Sequence, residues 1–349
     1  MIRNPWVRIG AVLAALAVAV GVVVWRGPSW HDVANAFTIV RWRWVLAAIA
    51  LNLVSVLARS FAWRTVIVQA MPPPRPRYPL IFSAFSVGLF ANAVLPGRIG
   101  ELARVAVLTR RLRHNRGLWA TLVGTVFAHR VFDLVPVLLL VVYVLVAAKI
   151  PTWAVTSLEI VIALGLLLLL FAIVSARRHD RSALDSLGPV RRLLTMARNG
   201  LGVMRSPAAA AEAIMLQLAG WTCQLLAVWA AMRAFHIHER LDAAALVLVL
   251  MNVATVFPLW PGNVGLVQAA IAFPLVQYGV GYTRGFAFGI GLQAIEASVG
   301  VGVGLIFLAR EGLSFAMLRR MEQTQEGVLD ASAGGADEPQ RRLVGSRRG

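Results

Sequence analysis

Long apolar runs, not alternating or 3.6-residue patterns, dominate this chain. A helix needs about 20 apolar residues to cross the hydrocarbon of a bilayer. Six runs have that character, at approximately 8–25, 44–70, 117–148, 153–176, 208–236 and 285–309. Two more are broken: 80–95 stops at Pro96-Gly97, and 242–280 is interrupted by Pro258, Pro261 and Gly262. Short polar connectors separate the runs, and none is long enough for a soluble domain.

Arginines orient the runs. Arg3 and Arg8 precede the first. Arg75 and Arg77 lie in the proline-rich connector 71–79. Arg98, Arg104, Arg110, Arg111, Arg113 and Arg116 follow the first broken run, many more fill 177–207, and Arg310, Arg319 and Arg320 follow the last. Cytoplasmic loops of membrane proteins are rich in Lys and Arg. Placing all of these segments inside puts 71–79 and 98–116 on one side, so 80–95 must dip in and return. By the same reasoning 237–241 and 281–284 face out, and 242–280 dips in from outside. The breaks also match: Pro96-Gly-Arg-Ile-Gly100 and Pro261-Gly-Asn-Val-Gly265 share P-G-x-[I/V]-G, 165 positions apart. Opposed broken helices related by an internal repeat are the layout of an inverted-repeat transporter. The expected fold is all-α and polytopic, with about six transmembrane helices plus two re-entrant helical hairpins. The domain is expected over 1–320, with a disordered cytoplasmic tail over 321–349 and both termini inside. An uncleaved first helix, an amphipathic surface helix within 177–207 carrying Leu184, Leu187, Val190 and Leu194, and a short outer helix within 30–41 complete the expectation.

Composition agrees. The chain is 59% hydrophobic and 14% charged, with mean hydropathy +0.73; a soluble domain carries roughly 25% charged residues. The net charge of +18 comes from Lys149 and many arginines placed in connectors, which suits anionic headgroups. No zinc-type or RNA-type motif accompanies it, so nucleic acid is not an expected partner. Cys223 is the lone cysteine, which excludes an internal disulfide. No nucleotide loop, nucleophile motif or metalloprotease motif occurs, and no catalytic residue, cofactor or metal is expected.

Candidate chemistry gathers at the breaks. A Pro-Gly break frees backbone groups that lipid cannot satisfy, so protein or water must cover them. Pro96, Gly97, Gly100, Pro261, Gly262 and Gly265 are therefore the expected structural breaks. Charges inside apolar runs cost about 3 kcal/mol or more each and mark interior paths. Arg98, Glu101 and Arg104 follow the first break at helical spacing, so Glu101 can neutralise either arginine. Arg130 and Asp133 form another i, i+3 pair, one turn before Pro136. Arg59 and Arg64 lie within 44–70, where Arg64 can snorkel outward. Asn92, Asn263, Gln268 and Glu296 add polar groups near the breaks and at mid-helix. Arginine's fork suits phosphate oxygens, so the expected substrate-binding and translocation set is Asn92, Arg98, Glu101, Arg104, Arg130, Asp133, Asn263, Gln268 and Glu296. Gly281, Gly285, Gly289, Gly300 and Gly304 are read as packing positions, and His236 and His238 as interfacial.

Asn92-Ala-Val-Leu-Pro-Gly-Arg-Ile-Gly-Glu-Leu-Ala-Arg104, then Arg130-Val-Phe-Asp133, then Pro261-Gly-Asn-Val-Gly265, resemble the transmembrane domain of the lysylphosphatidylglycerol synthase (flippase-like) family over most of 40–310. The resemblance implies a multi-span protein of the plasma membrane in which lipids move between leaflets. It carries Asn92, Pro96, Gly97, Gly100, Glu101, Arg104, Arg130, Asp133, Pro261, Gly262 and Gly265 over as family-type positions. His129 and Gln268 stand where the family often has Glu, which points away from the same cationic lipid. No soluble aminoacyl-transferase domain is found in the sequence, so lysyl-lipid synthesis is not expected.

The expected function is that of a lipid flippase or transporter, moving a phospholipid, glycolipid or isoprenoid-linked lipid between leaflets, and not that of an enzyme. The alternatives are a membrane-embedded transferase on a lipid-linked substrate, with Glu101 or Asp133 as base, and a non-catalytic scaffold. Membrane lipids are the expected partners; a homo-oligomer or a partner enzyme of lipid synthesis stays open.

Overall fold

The computed structural model describes residues 29–94, 100–112, 118–150, 152–177, 206–255 and 263–310. These are α-helical, with no strand among them. In chain order the helices are α1 (Trp30–Thr38), α2 (Trp42–Ala70), α3 (Tyr78–Val94), α4 (Gly100–Arg111), α5 (Leu118–Ala147), α6 (Thr152–Arg177), α7 (Pro207–Ala234), α8 (Leu241–Ala254), α9 (Leu266–Leu275) and α10 (Tyr282–Arg310). A 3₁₀ turn, Val276–Tyr278, follows α9.

Four helices, α2, α5, α7 and α10, run 28 to 30 residues and are apolar enough to cross a membrane. α6 is a further long apolar helix of 26 residues. Apolar side chains cover the outside of these helices, Leu46, Leu139, Val146, Leu167 and Ile306 among them. In lipid a backbone must satisfy its own hydrogen bonds, and a continuous helix does so within one segment. The chain is a polytopic membrane protein.

The two broken runs each become a pair of short helices. α3 and α4, of 17 and 12 residues, pack against one another, and so do α8 and α9, of 14 and 10 residues. Each pair is joined through the break expected from the sequence. Pro96, Gly97, Arg98, Pro261 and Gly262 lie outside the described residues, as do the expected first helix, the amphipathic segment within 177–207 beyond Arg177, and the tail. The short helix expected within 30–41 is present as α1.

The chain divides into two compact units. The first gathers described residues of Met1–Asn52, Leu140–Ile160 and Cys223–Glu296; the second, those of Leu53–Leu139, Val161–Thr222 and Ala297–Gly349. The α8–α9 pair belongs to the first and the α3–α4 pair to the second.

In the second unit, Val66 of α2, Ala128, Val131 and Phe132 of α5, and Ala209 and Ala213 of α7 form a common apolar cluster. That packing fixes the register of α5 around His129, Arg130 and Asp133. On the other side α10 lies against α3, and a Cβ on Gly304 would collide with Phe90 and come within 2.9 Å of the Ser86 carbonyl oxygen. Small residues permit such approach. In the first unit Gly285 and Gly289 of α10 sit against Ala272 and Gln268 of α9 in the same way, whereas Gly281 faces open space. Val33 of α1 packs onto Ala272, Phe286 and Ala287.

Candidate functional site

The second unit holds a chain of alternating charges. The Glu101 carboxylate accepts from Arg104 Nη2 at 2.5 Å through one oxygen and pairs with Arg130 through the other. Arg130 donates to Asp133 at 3.2 Å. The second oxygen of Asp133 accepts from Trp221 Nε1 at 3.0 Å and lies 4.0 Å from Arg59 Nη2. The order is Arg104, Glu101, Arg130, Asp133, Arg59, drawn from α4, α5 and α2. Counted over these five side chains, three guanidiniums face two carboxylates, a formal excess of one positive charge.

Local sequence explains each position. Gly100 opens α4, and its N–H donates to Asn92 Oδ1 at 2.8 Å, across the break from the end of α3. This satisfies one of the backbone donors that a helix start leaves orphaned. Gly88 and Gly100 let the two backbones touch: a Cβ on Gly88 would lie 2.8 Å from the Gly100 carbonyl oxygen. Glu101 then stands in the first turn of α4, where the helix dipole favours a carboxylate. Arg104, one turn on, is buried.

Aromatic faces line the buried arginines. The Arg104 guanidinium lies 4.7 Å from the Trp63 ring centre and 5.6 Å from that of Phe85. Arg59 lies 4.7 Å from the Trp221 ring. Such stacking leaves the guanidinium edge for hydrogen bonds. Arg104 Nε is buried without a hydrogen-bond partner among the described residues. His129 is buried against Phe85, with the Gln217 amide donating toward its carbonyl at 3.4 Å.

These groups enclose a cavity of about 50 Å³ lined by Arg59, Asn92, Glu101, Arg104, Arg130 and Asp133, with Phe85 and His129. That is room for a few water molecules. Arg130, whose side chain is 54% exposed, sits at the mouth, while the side chains of Arg104 and Asp133 are 6% and 9% exposed.

The other described sequence candidates fall in the first unit. Asn263, at φ 44°, donates through Nδ2 to the Ala254 carbonyl at 2.8 Å, tying α9 to the end of α8 across the second break. Gly265, at φ 93°, is the N-cap of α9, and its N–H donates to Gln268 Oε1 at 2.6 Å. A left-handed backbone there favours glycine. Gln268 thus caps its own helix and donates to Gln293 at 2.5 Å. Glu296 accepts from Gln224 Nε2 at 3.0 Å. The two hairpins therefore share a device: the last motif glycine opens the returning helix, and an asparagine side chain bridges the break.

Sequence spacing identified Glu101–Arg104 and Arg130–Asp133, which the structure brings together. It did not connect Glu101 to Arg130 or Asp133 to Arg59, and it missed Trp63, Phe85, Gln217 and Trp221. Among the described residues no group of three or more His, Cys, Asp or Glu is placed to hold a metal ion.

A family model described as the lysylphosphatidylglycerol synthase TM region matches residues 11–304. Among curated proteins, a UPF0104 membrane protein of Methanocaldococcus jannaschii is 24% identical over 206 residues, covering 57% of this chain and 84% of that protein. No solved structure matches the chain.

Proposed function

The chain belongs to the lysylphosphatidylglycerol synthase TM region family, and from that premise we propose that it moves a polar-headed lipid between the leaflets of the plasma membrane. The observation that supports this best is the charged cavity of the second unit. Each ionised side chain inside a membrane domain costs about 3 kcal/mol or more. Five of them around one small cavity exceed what packing alone requires. With one positive charge in excess, the cavity favours an anionic group, and a phosphate-bearing headgroup fits the guanidinium forks.

The headgroup meets Arg130 at the mouth first, then exchanges with the Glu101 carboxylate for Arg104. Glu101 holds both arginines when no lipid is present, so their charges are never left bare. Arg59 and Asp133 fix the far end, and Trp221 orients Asp133. We read α3–α4 and α8–α9 as re-entrant hairpins, because all four helices are shorter than the roughly 20 residues typical of a span and each break carries its asparagine bridge. Arg98 belongs to the same path by its place two residues before Gly100. No nucleotide motif accompanies the site, so movement is passive or ion-coupled, with Glu296 the proposed proton carrier.

Reconstitution into liposomes tests this. Fluorescent phosphatidylglycerol on the inner leaflet is expected to become accessible to a membrane-impermeant quencher only in vesicles that contain the protein. Full protection of the inner pool, across phospholipids, a glycolipid and an isoprenoid phosphate, would overturn the proposal.

A further inference from the structure

Arg233, outside the charge network, has no ion pair or side-chain hydrogen bond among the described residues. It lies one residue before the end of α7, half-buried in the first unit. Its Nε is shut off from solvent and has no hydrogen-bond partner. The guanidinium lies 4.8 Å from the centre of the Trp229 ring, one turn back on the same helix. Trp44 of α2 meets that ring edge-on at 5.6 Å.

The start of α2 is fixed against this end of α7. The Arg41 N–H donates to the Ala234 carbonyl at 3.0 Å, and His236 Nε2 donates to the Ile39 carbonyl at 2.8 Å. Arg41 and Arg43 are exposed beside that junction, and Arg240 is exposed after it. Over 39–44 and 229–240 four arginines stand against Glu239.

We propose that Arg233, with Arg41 and Arg43, forms a second anion site that takes the phosphate of a membrane phospholipid. The indole face carries the guanidinium without using its N–H edge, which stays available for two phosphate oxygens. A lipid source fits the surroundings. Trp42 is 70% exposed and Leu46, one turn on, is 64% exposed. Tryptophan followed by aliphatic side chains is the order of a helix leaving the headgroup layer for hydrocarbon. An arginine at that level without a carboxylate is neutralised by lipid phosphate. This site shares no residue with the cavity of the second unit, and it stands whether or not lipids are moved.

Native mass spectrometry of the full-length protein, titrated with phosphatidylglycerol, tests it. Arg233→Gln is expected to lose one phosphatidylglycerol adduct relative to wild type and to keep its diacylglycerol adducts. The exposed pair Arg41→Gln/Arg43→Gln is expected to do the same, and it decides the matter if Arg233→Gln fails to fold. Excess inorganic phosphate is expected to leave the adduct in place. Wild-type phosphatidylglycerol retention by the double variant would overturn the inference. So would equal loss of diacylglycerol, which means an apolar contact, and so would displacement by inorganic phosphate, which means a site for a soluble anion.

Discussion

Asp133 accepts from Arg130 and Trp221 and lies within ion-pair reach of Arg59. Removing one member of a buried ion pair typically costs about 3–5 kcal/mol, because its partners are left charged and unpaired. Asp133→Ala is therefore expected to lower the melting temperature in detergent far more than Trp221→Phe, which forfeits one hydrogen bond to a charged group, about 1.5–3 kcal/mol. Equal effects of the two would show that Asp133 does not anchor the arginines. The i, i+3 pairs were readable because helix geometry makes neighbours of residues three apart. Trp221 was not, since it reaches Asp133 from 88 positions away and nothing in its local sequence marks it. Gln268 is expected in the substrate-binding set from its nearness to a break; its hydrogen bond to the Gly265 N–H adds a capping role that the sequence does not show.

At the scale of the element, the hairpins depend on backbone contact. A Cβ on Gly100 would collide with the Gly88 carbonyl oxygen and come within 2.6 Å of Asn92 Oδ1. Overpacking of this kind costs about 1–3 kcal/mol, and more where backbone must move. Gly100→Ala is expected to destabilise the protein and to lower lipid movement together. Gly302→Ala is the matched control: nothing lies within 4 Å of that position on α10. Replacing a mid-helix glycine there is expected to gain up to about 1 kcal/mol. Thermal melts of both variants check the pair, and an undiminished melting temperature for Gly100→Ala would contradict the assigned packing of α3 on α4. The breaks themselves were legible because proline removes a helix donor and clashes with the preceding turn; Gly100 and Gly265, expected only as breaks, open α4 and cap α9. Which small residues pack was only partly legible: Gly285, Gly289 and Gly304 do, while Gly281 meets nothing within 4 Å, because spacing alone does not show where a neighbour lies.

For the whole molecule, the apolar runs gave the long helices directly, since span length is set by bilayer thickness and is written as residue count. The charge network that makes the site draws on α2, α4 and α5, with Trp221 of α7, and its assembly depends on packing between distant segments. The proposed function rests on that assembly: a cavity with excess positive charge should distinguish headgroups by charge. The decisive measurement is the ratio of initial translocation rates of fluorescent phosphatidylglycerol and a neutral glycolipid in the same vesicles, for wild type and Arg104→Gln. Taking a ratio within each preparation cancels differences in the fraction of folded protein. Loss of one charge-assisted contact is expected to lower the ratio about tenfold or more; an unchanged ratio would contradict headgroup recognition by the cavity.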